Sequence, residues 1–510
     1  MKGVVGASRK ALGSDMEIRF VTEPKADSLA VMAGEAGALP PGAQALDAKL
    51  GGALSRALAT ARFSGQPGQV VELLGSADMP RVLAIGAGPL DRMEPLAVER
   101  WAANAVRRLL TSGAERLALL PEPLGGVTAA EAAARAAMGA RLGGYRFDRY
   151  RTRLKPEQKQ TLNEIQVITE GPAAAQSRFE KEEPAVSGAL WARDLVSEPP
   201  NVLHPEEFAR RIAELESLGV EVEILGEAEL EKMGAGSILA VGRGSARQTQ
   251  LVSLSWRGAR SRAAQPVCFV GKGVTFDTGG ISLKPGASMD EMKGDMAGAA
   301  AVVAAMKAVA ARKARANVCA VVGLVENMPD GQATRPGDIV TSLSGQTIEI
   351  LNTDAEGRLL LADAVWHAQE KFHPLAMIDL ATLTGAVIVS LGHEYAGMFC
   401  NDDALAHALT QAGQLEGEPV WRLPLGPAYD RMIDSPNADM KNITGKPAAG
   451  SIIGAQFIQR FIKPGLAWAH IDIAGAAWKP GPYEDPLSPA WATGYGVRLL
   501  NRLIANTYEE

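Results

Sequence analysis

Val267-Cys268-Phe269-Val270-Gly271-Lys272-Gly273-Val274-Thr275-Phe276-Asp277 is the stretch on which the reading of this chain turns. Its first four residues form a short apolar run, read as a buried strand over 267–270. The glycines that follow let the backbone bend tightly, which would bring Lys272 and Asp277 into one pocket. A strand that ends in charged residues, set among helical stretches, points to an α/β sheet. The active sites of such sheets lie off the carboxyl ends of their strands.

The rest of the second half keeps this alternation. Strands are expected over 251–256, 318–324, 347–351, 376–380 and 466–473. Helices are expected over 205–215, 297–311 and 358–371. Together they describe a mixed, mostly parallel sheet with helices on both faces. The first part alternates on a smaller scale, with strands over 16–21, 69–74, 81–85, 116–120 and 165–169 and helices over 96–111 and 129–142. The fold class is therefore α/β in two domains. A loose tail covers 1–15 and a smaller N-terminal α/β domain covers 16–175. A linking helix over 176–200 stops at the proline pair Pro199-Pro200, and a larger C-terminal domain fills 201–510.

The 510 residues are 47% hydrophobic, enough for two or three sizeable cores. The apolar runs are short against the roughly 18–20 residues needed to cross a bilayer, so no membrane partner is expected. The first fourteen residues hold Lys2, Arg9 and Lys10 but lack the apolar region of a secretory signal. Three cysteines give no disulfide framework and no metal-binding spacing, which suits a reducing cytoplasm. Residues 1–200 carry 25 basic against 23 acidic side chains, the remainder 27 against 35. The acidic excess thus falls in the half that holds the motifs.

The second motif is Asn352-Thr353-Asp354-Ala355-Glu356-Gly357-Arg358-Leu359. In an extended segment Asp354, Glu356 and Arg358 would project to one side. Taken alone, the octet reads equally well as a turn entering a helix. Lys284 and Asp295 lie between the two motifs, Asp295 at the head of an alanine-rich helix. None of the six histidines falls in these segments, so any metal site here is built from oxygen, with amine nitrogen from lysine. Asp277, Asp295, Asp354 and Glu356 carry four negative charges, which balance two divalent ions. Lys272 would ligate as a neutral amine, and Lys284 would stay charged for the reaction.

Residues 271–295, the octet, and Asp379-Leu380-Ala381-Thr382-Leu383-Thr384-Gly385 together resemble the leucyl aminopeptidases, also called cytosol aminopeptidases. The resemblance covers most of 195–500; the first 190 residues share only size and α/β pattern. It implies a two-metal exopeptidase, in which Lys272, Asp277, Asp295 and Glu356 hold the tighter ion. Asp277, Asp354 and Glu356 hold the more exchangeable one. Lys284 and Arg358 match the two catalytic positions. Met292 would line the pocket for the first side chain, with Thr382, Leu383 and Gly385 beside it, and Asn352 would bond the substrate backbone.

The implied reaction is removal of an N-terminal residue, leucine and other apolar residues preferred, by a water bridging two ions about 3–4 Å apart. The implied cofactors are two Mn2+ or Zn2+ ions per subunit, with bicarbonate on Arg358 standing in for a missing general base. The implied assembly is a homohexamer acting on peptides. Two rival readings are a two-metal phosphoesterase and a DNA-binding role. The second rests on the stretch 146–159, six basic against two acidic residues with aromatics between, and the net charge of −6 weighs against it.

Overall fold

The structure is a computed structural model that describes residues 16–75, 80–481 and 484–510. The tail expected over 1–15 lies outside the described residues. The chain forms two compact units. One runs to Val186 and includes Gly481–Ala490; the other comprises Ser187–Pro480 and Trp491–Glu510. The division falls within a 26-residue helix, Pro172–Ser197, two residues after its internal Pro184, rather than at the proline pair beyond it.

The first unit is built on β1 (Glu17–Val21), β2 (Ser28–Gly34), β3 (Val70–Leu74), β4 (Arg81–Gly88), β5 (Arg116–Leu120) and β6 (Glu164–Ile168). They lie in the order β1-β6-β5-β2-β4-β3, all parallel except β3. The sequence reading lacks β2, whose seven residues are all buried. Buried on both faces, it shows no alternation, and its alanines and glycine weaken the strand signal. Helices Pro95–Leu109 and Ala129–Gly143 pack tightly together, and a Cβ on Gly139 would stand 2.0 Å from the Glu99 carbonyl.

The second unit holds β7 (Glu221–Leu225), β8 (Gln250–Arg257), β9 (Val267–Asp277), β10 (Asn317–Asn327), β11 (Ile339–Thr341), β12 (Thr347–Glu349), β13 (Ala376–Ala381), β14 (Ala396–Cys400), β15 (Val420–Arg422), β16 (Met440–Lys441) and β17 (Ala467–Asp472). The main sheet runs β15-β14-β17-β13-β9-β10-β8-β7. Its centre, β17-β13-β9-β10, is parallel. The β14–β17, β8–β10 and β7–β8 pairs are antiparallel. The fold is thus α/β with mixed, mostly parallel sheets.

Three sequence expectations change here. Gly271–Asp277 is strand, not a bent loop, because β9 continues through it. The segment expected as a strand over 347–351 belongs to a separate small sheet, β11-β12-β16, so the octet does not follow a strand of the main sheet. And one helical stretch, Met289–Ala311, does have the length and hydropathy of a membrane span, although 89% of its apolar window is buried inside the protein. It is a core helix. Its glycines and alanines let it lie close on the sheet: a Cβ on Gly271 would meet Ala299 Cα at 2.6 Å, and one on Gly298 the Leu380 carbonyl at 2.1 Å. On the other face, the helix Glu356–Phe372 packs Leu360 and Leu361 into a core with Val270, Met377, Phe457 and Trp468. Each of these fully buried apolar side chains stabilises the fold by about 1.5–3 kcal/mol.

Candidate metal centre

Lys272 and Asp277 are five residues apart on one strand, and strict alternation would send them to opposite faces. A bulge prevents this. Along the β9–β10 pair, Val274 faces Val325 and Phe276 faces Glu326, so Thr275 is an extra residue on β9. One inserted residue inverts the parity of everything after it. Both side chains are therefore buried together, each 2% exposed, and both reach Glu356.

The octet adopts the second of its two readings, a turn entering a helix, rather than the extended one. Asn352 Oδ1 accepts the Asp354 amide at 2.8 Å, closing a turn, and Glu356 is the first residue of the helix Glu356–Phe372. A carboxylate suits that position because the helix N-terminus carries partial positive charge. Asp277, Asp354 and Glu356 each place a carboxylate oxygen within 4.8 Å of the others. Asp295, just before the helix Ala297–Ala311, completes the set.

Two lysines bind these four acids in pairs. Lys272 Nζ lies 2.8 Å from Asp295 Oδ1, 2.8 Å from Glu356 Oε1 and 2.7 Å from the Thr382 carbonyl. Lys284 Nζ lies 2.8 Å from Asp277 Oδ2 and also pairs with Asp354 Oδ1. Burial works against both ammonium charges, but the surrounding carboxylates outweigh it and hold both lysines above their usual range. Burial, with the Glu356 charge added, pushes Asp277 up to about 6. Burial likewise raises Asp295 and Asp354. Burial also works against the Glu356 charge, but Lys272 and Lys284 prevail and hold it low.

Arg358 is buried within the helix, and burial lowers its guanidinium to about 10. Its Nη1 donates to the Asn442 carbonyl at 2.7 Å, and its Nε has no hydrogen-bond partner. Asn442 is fully buried and also grips the octet. Its Oδ1 accepts the Leu351 amide at 2.8 Å, and its Nδ2 donates to the Asn352 carbonyl at 2.6 Å.

The expected substrate-lining residues lie on the segments around this cluster. Met292 sits in the short turn Met289–Gly294, half-buried, three residues before Asp295. Thr382 gives its hydroxyl to Asp295 Oδ1 at 2.7 Å, so it braces that carboxylate. The Leu383 amide and the Thr384 hydroxyl both donate to the buried Asp472, at 3.1 and 2.6 Å. Gly385 opens the helix Gly385–Leu391, with open space where a Cβ would be.

Does this donor set suit divalent metal? Four carboxylates face two ammonium groups and one guanidinium, leaving negative charge over. Asp295 Oδ2 is buried without a hydrogen-bond partner. Oxygen with one amine is a donor set that accepts hard or borderline divalent ions. The residues fit. The sequence reading missed Asn442 and Asn327, ordinary polar residues with no motif around them, and had no role for Gly357.

An α/β unit with a buried carboxylate–lysine cluster, suited to divalent metal, off its parallel strands is the class this arrangement defines. The chain belongs to the cytosol aminopeptidase family. The family's catalytic domain matches residues 190–501 and its N-terminal domain residues 30–154. A probable cytosol aminopeptidase of Caulobacter vibrioides is 54% identical over 500 residues, covering 97% of this chain and all of the relative. One from a Bradyrhizobium species is 51% identical over 470 residues, covering 91% and 93%. A tomato leucine aminopeptidase mutant superposes with a TM-score of 0.87 at 31% identity, covering 97% of each chain. The bottromycin maturation enzyme BotP in complex with Mn gives 0.82 at 36% identity, covering 94% of this chain and 99% of that one. The protein is accordingly a metal-dependent aminopeptidase acting on peptides, and nothing in these relationships favours a phosphoesterase or a DNA-binding role.

Proposed function

We propose that residues 201–510 form the catalytic domain and that it holds two divalent ions, Mn2+ or Zn2+, on Lys272, Asp277, Asp295, Asp354 and Glu356. The observation that carries this reading is the pairing of three buried acids and the half-buried Asp354 with two lysines, one oxygen of Asp295 being left over. Lys272, Asp277, Asp295 and Glu356 would hold the tighter ion, and Asp277, Asp354 and Glu356 the more exchangeable one, so that Asp277 and Glu356 would serve both. Bound divalent ions supply Lewis-acid polarisation of the scissile carbonyl and lower the pKa of water.

The chain's own groups do the rest. Lys284, freed from its carboxylates, keeps its proton and donates a hydrogen bond to the oxyanion that forms at the carbonyl. Arg358 would hold and orient bicarbonate as the base in bidentate fashion; its Nε has no hydrogen-bond partner among the described residues. Met292, with Leu383 and Gly385, lines the pocket for an apolar first side chain, for which a flexible methionine wall is suited. Asn352 holds the substrate backbone. The working form is a cytoplasmic homohexamer, with the N-terminal domain over 16–175 outside the chemistry.

The test is a rate profile over N-terminal residues with metal-stripped and Mn2+- or Zn2+-loaded protein, next to a phosphate ester. Metal-dependent release of leucine with no phosphate release supports the reading; the reverse pattern refutes it. Light scattering reads the mass of the assembly.

A further inference from the structure

We propose that Asn327 is a positioning residue that fixes which oxygen of Asp277 faces the metal centre. It rests on the reading of Asp277 as a ligand. Asn327 ends β10 and is the register partner of Asp277, which ends β9. It is 4% exposed. Its Nδ2 donates to Asp277 Oδ1 at 2.8 Å and to the Thr353 carbonyl at 3.1 Å, so one amide joins the two metal-binding segments.

The orientation of that amide is determined. Turned over, it would set an oxygen against a carboxylate and a carbonyl, three acceptors together. Its own oxygen lies at Gly280, where a Cβ would be 2.7 Å away. Asp277 Oδ1 also accepts the Gly279 amide at 2.9 Å. Two donors therefore occupy Oδ1, and Oδ2 alone points at the charged cluster, 2.8 Å from Lys284 Nζ. Asn327 thus makes Asp277 a one-oxygen donor with a fixed direction, and it ties the turn carrying Asp354 to the same strand end. Residues that orient a ligand in this way typically change metal affinity about 10–100-fold when replaced.

The experiment is Mn2+ titration of the metal-stripped full chain, followed by calorimetry and by electron paramagnetic resonance, for wild type, Asn327→Leu, Asn327→Asp and Asp277→Asn. Asn327→Leu is expected to bind Mn2+ about 10–100-fold more weakly, with an altered resonance signal and an unchanged melting temperature when stripped. Should Asn327→Leu fail to fold, Asn327→Asp, which keeps the size and puts an acceptor where the donor was, is expected to show the same loss. Wild-type affinity and signal in the folded variant, with binding lost in Asp277→Asn, would overturn the positioning role alone. Unchanged binding in Asp277→Asn would overturn the ligand reading beneath it.

Discussion

Gly357 lies directly against the Lys272 side chain: a Cβ at position 357 would stand 2.6 Å from Lys272 Cε and 2.9 Å from its Nζ. The helix that begins at Glu356 can therefore start over the lysine only because its second residue has no side chain. Glu356 and Lys272 are held 2.8 Å apart by this close approach.

Gly357→Ala separates helix propensity from function. Alanine favours a helix by about 1 kcal/mol over glycine, but overpacking at this contact costs about 1–3 kcal/mol. The net change in melting temperature is expected to be small. Displacement of Lys272 is expected to weaken the tighter metal site and lower turnover by on the order of 10-fold. Mn2+ titration beside a leucine-amide assay checks this; wild-type affinity would show that Lys272 does not need its present position.

Arg358 tests the anion role. Arg358→Ala is expected to lower turnover about 100-fold, the usual scale of lost acid–base assistance, with metal content kept. Arg358→Lys should not restore the rate, since a point charge cannot bond a planar anion in bidentate fashion. Metal analysis with steady-state kinetics reads both. Loss of both ions in Arg358→Ala would make it a structural support of the metal site instead.

Asp277 and Lys284 touch each other yet should fail differently. Asp277→Ala is expected to strip both ions. Lys284→Ala is expected to keep them and lose about 100–1,000-fold in kcat, as when one oxyanion donor is removed. Elemental analysis of the two purified variants distinguishes them.

How much of this was legible in the sequence follows from separation along the chain. Lys272, Asp277, Lys284, Asp295, Asp354, Glu356 and Arg358 stand in short motifs whose residue types announce charge chemistry, and the structure gathers all seven. The conformation that gathers them was not legible. The extra Thr275 that turns Asp277 to the side of Lys272 shows only in the register with β10. The octet's alternating charges left an extended segment and a turn entering a helix equally open, and the structure takes the turn. Asn327 and Asn442 act on residues about 50 and 90 positions away, and nothing local in the sequence marks such contacts. β2 was missed because a strand buried on both faces carries no period.

Stability should depend on pH through Glu418, remote from the metal centre in sequence. It is buried and accepts the Gly496 and Leu499 amides at 3.0 and 2.8 Å, capping the helix Val497–Leu503. Burial, with Glu416 adding and Arg498 opposing, pushes it up to about 7. A raised carboxyl pKa means the folded chain holds a proton that the unfolded chain has released. This contribution is fully present below the unfolded value of about 4.3 and is lost as pH rises through about 7. Glu418→Gln keeps an oxygen for both amides and carries no charge. It is expected to match wild type near pH 5 and to be the more stable by about 1–3 kcal/mol near pH 8.5. Chemical denaturation at the two pH values measures the difference, and equal gaps at both would refute the assignment.

Two ions on Lys272, Asp277, Asp295, Asp354 and Glu356 are proposed to give this chain its aminopeptidase activity. The most direct test is the rate of leucine-amide hydrolysis by metal-stripped protein as Mn2+ is added, plotted against ions bound per chain. Negligible rate without metal and a rise to a plateau at two ions are expected. Full activity in the stripped protein, or a plateau at one ion, would contradict the proposal.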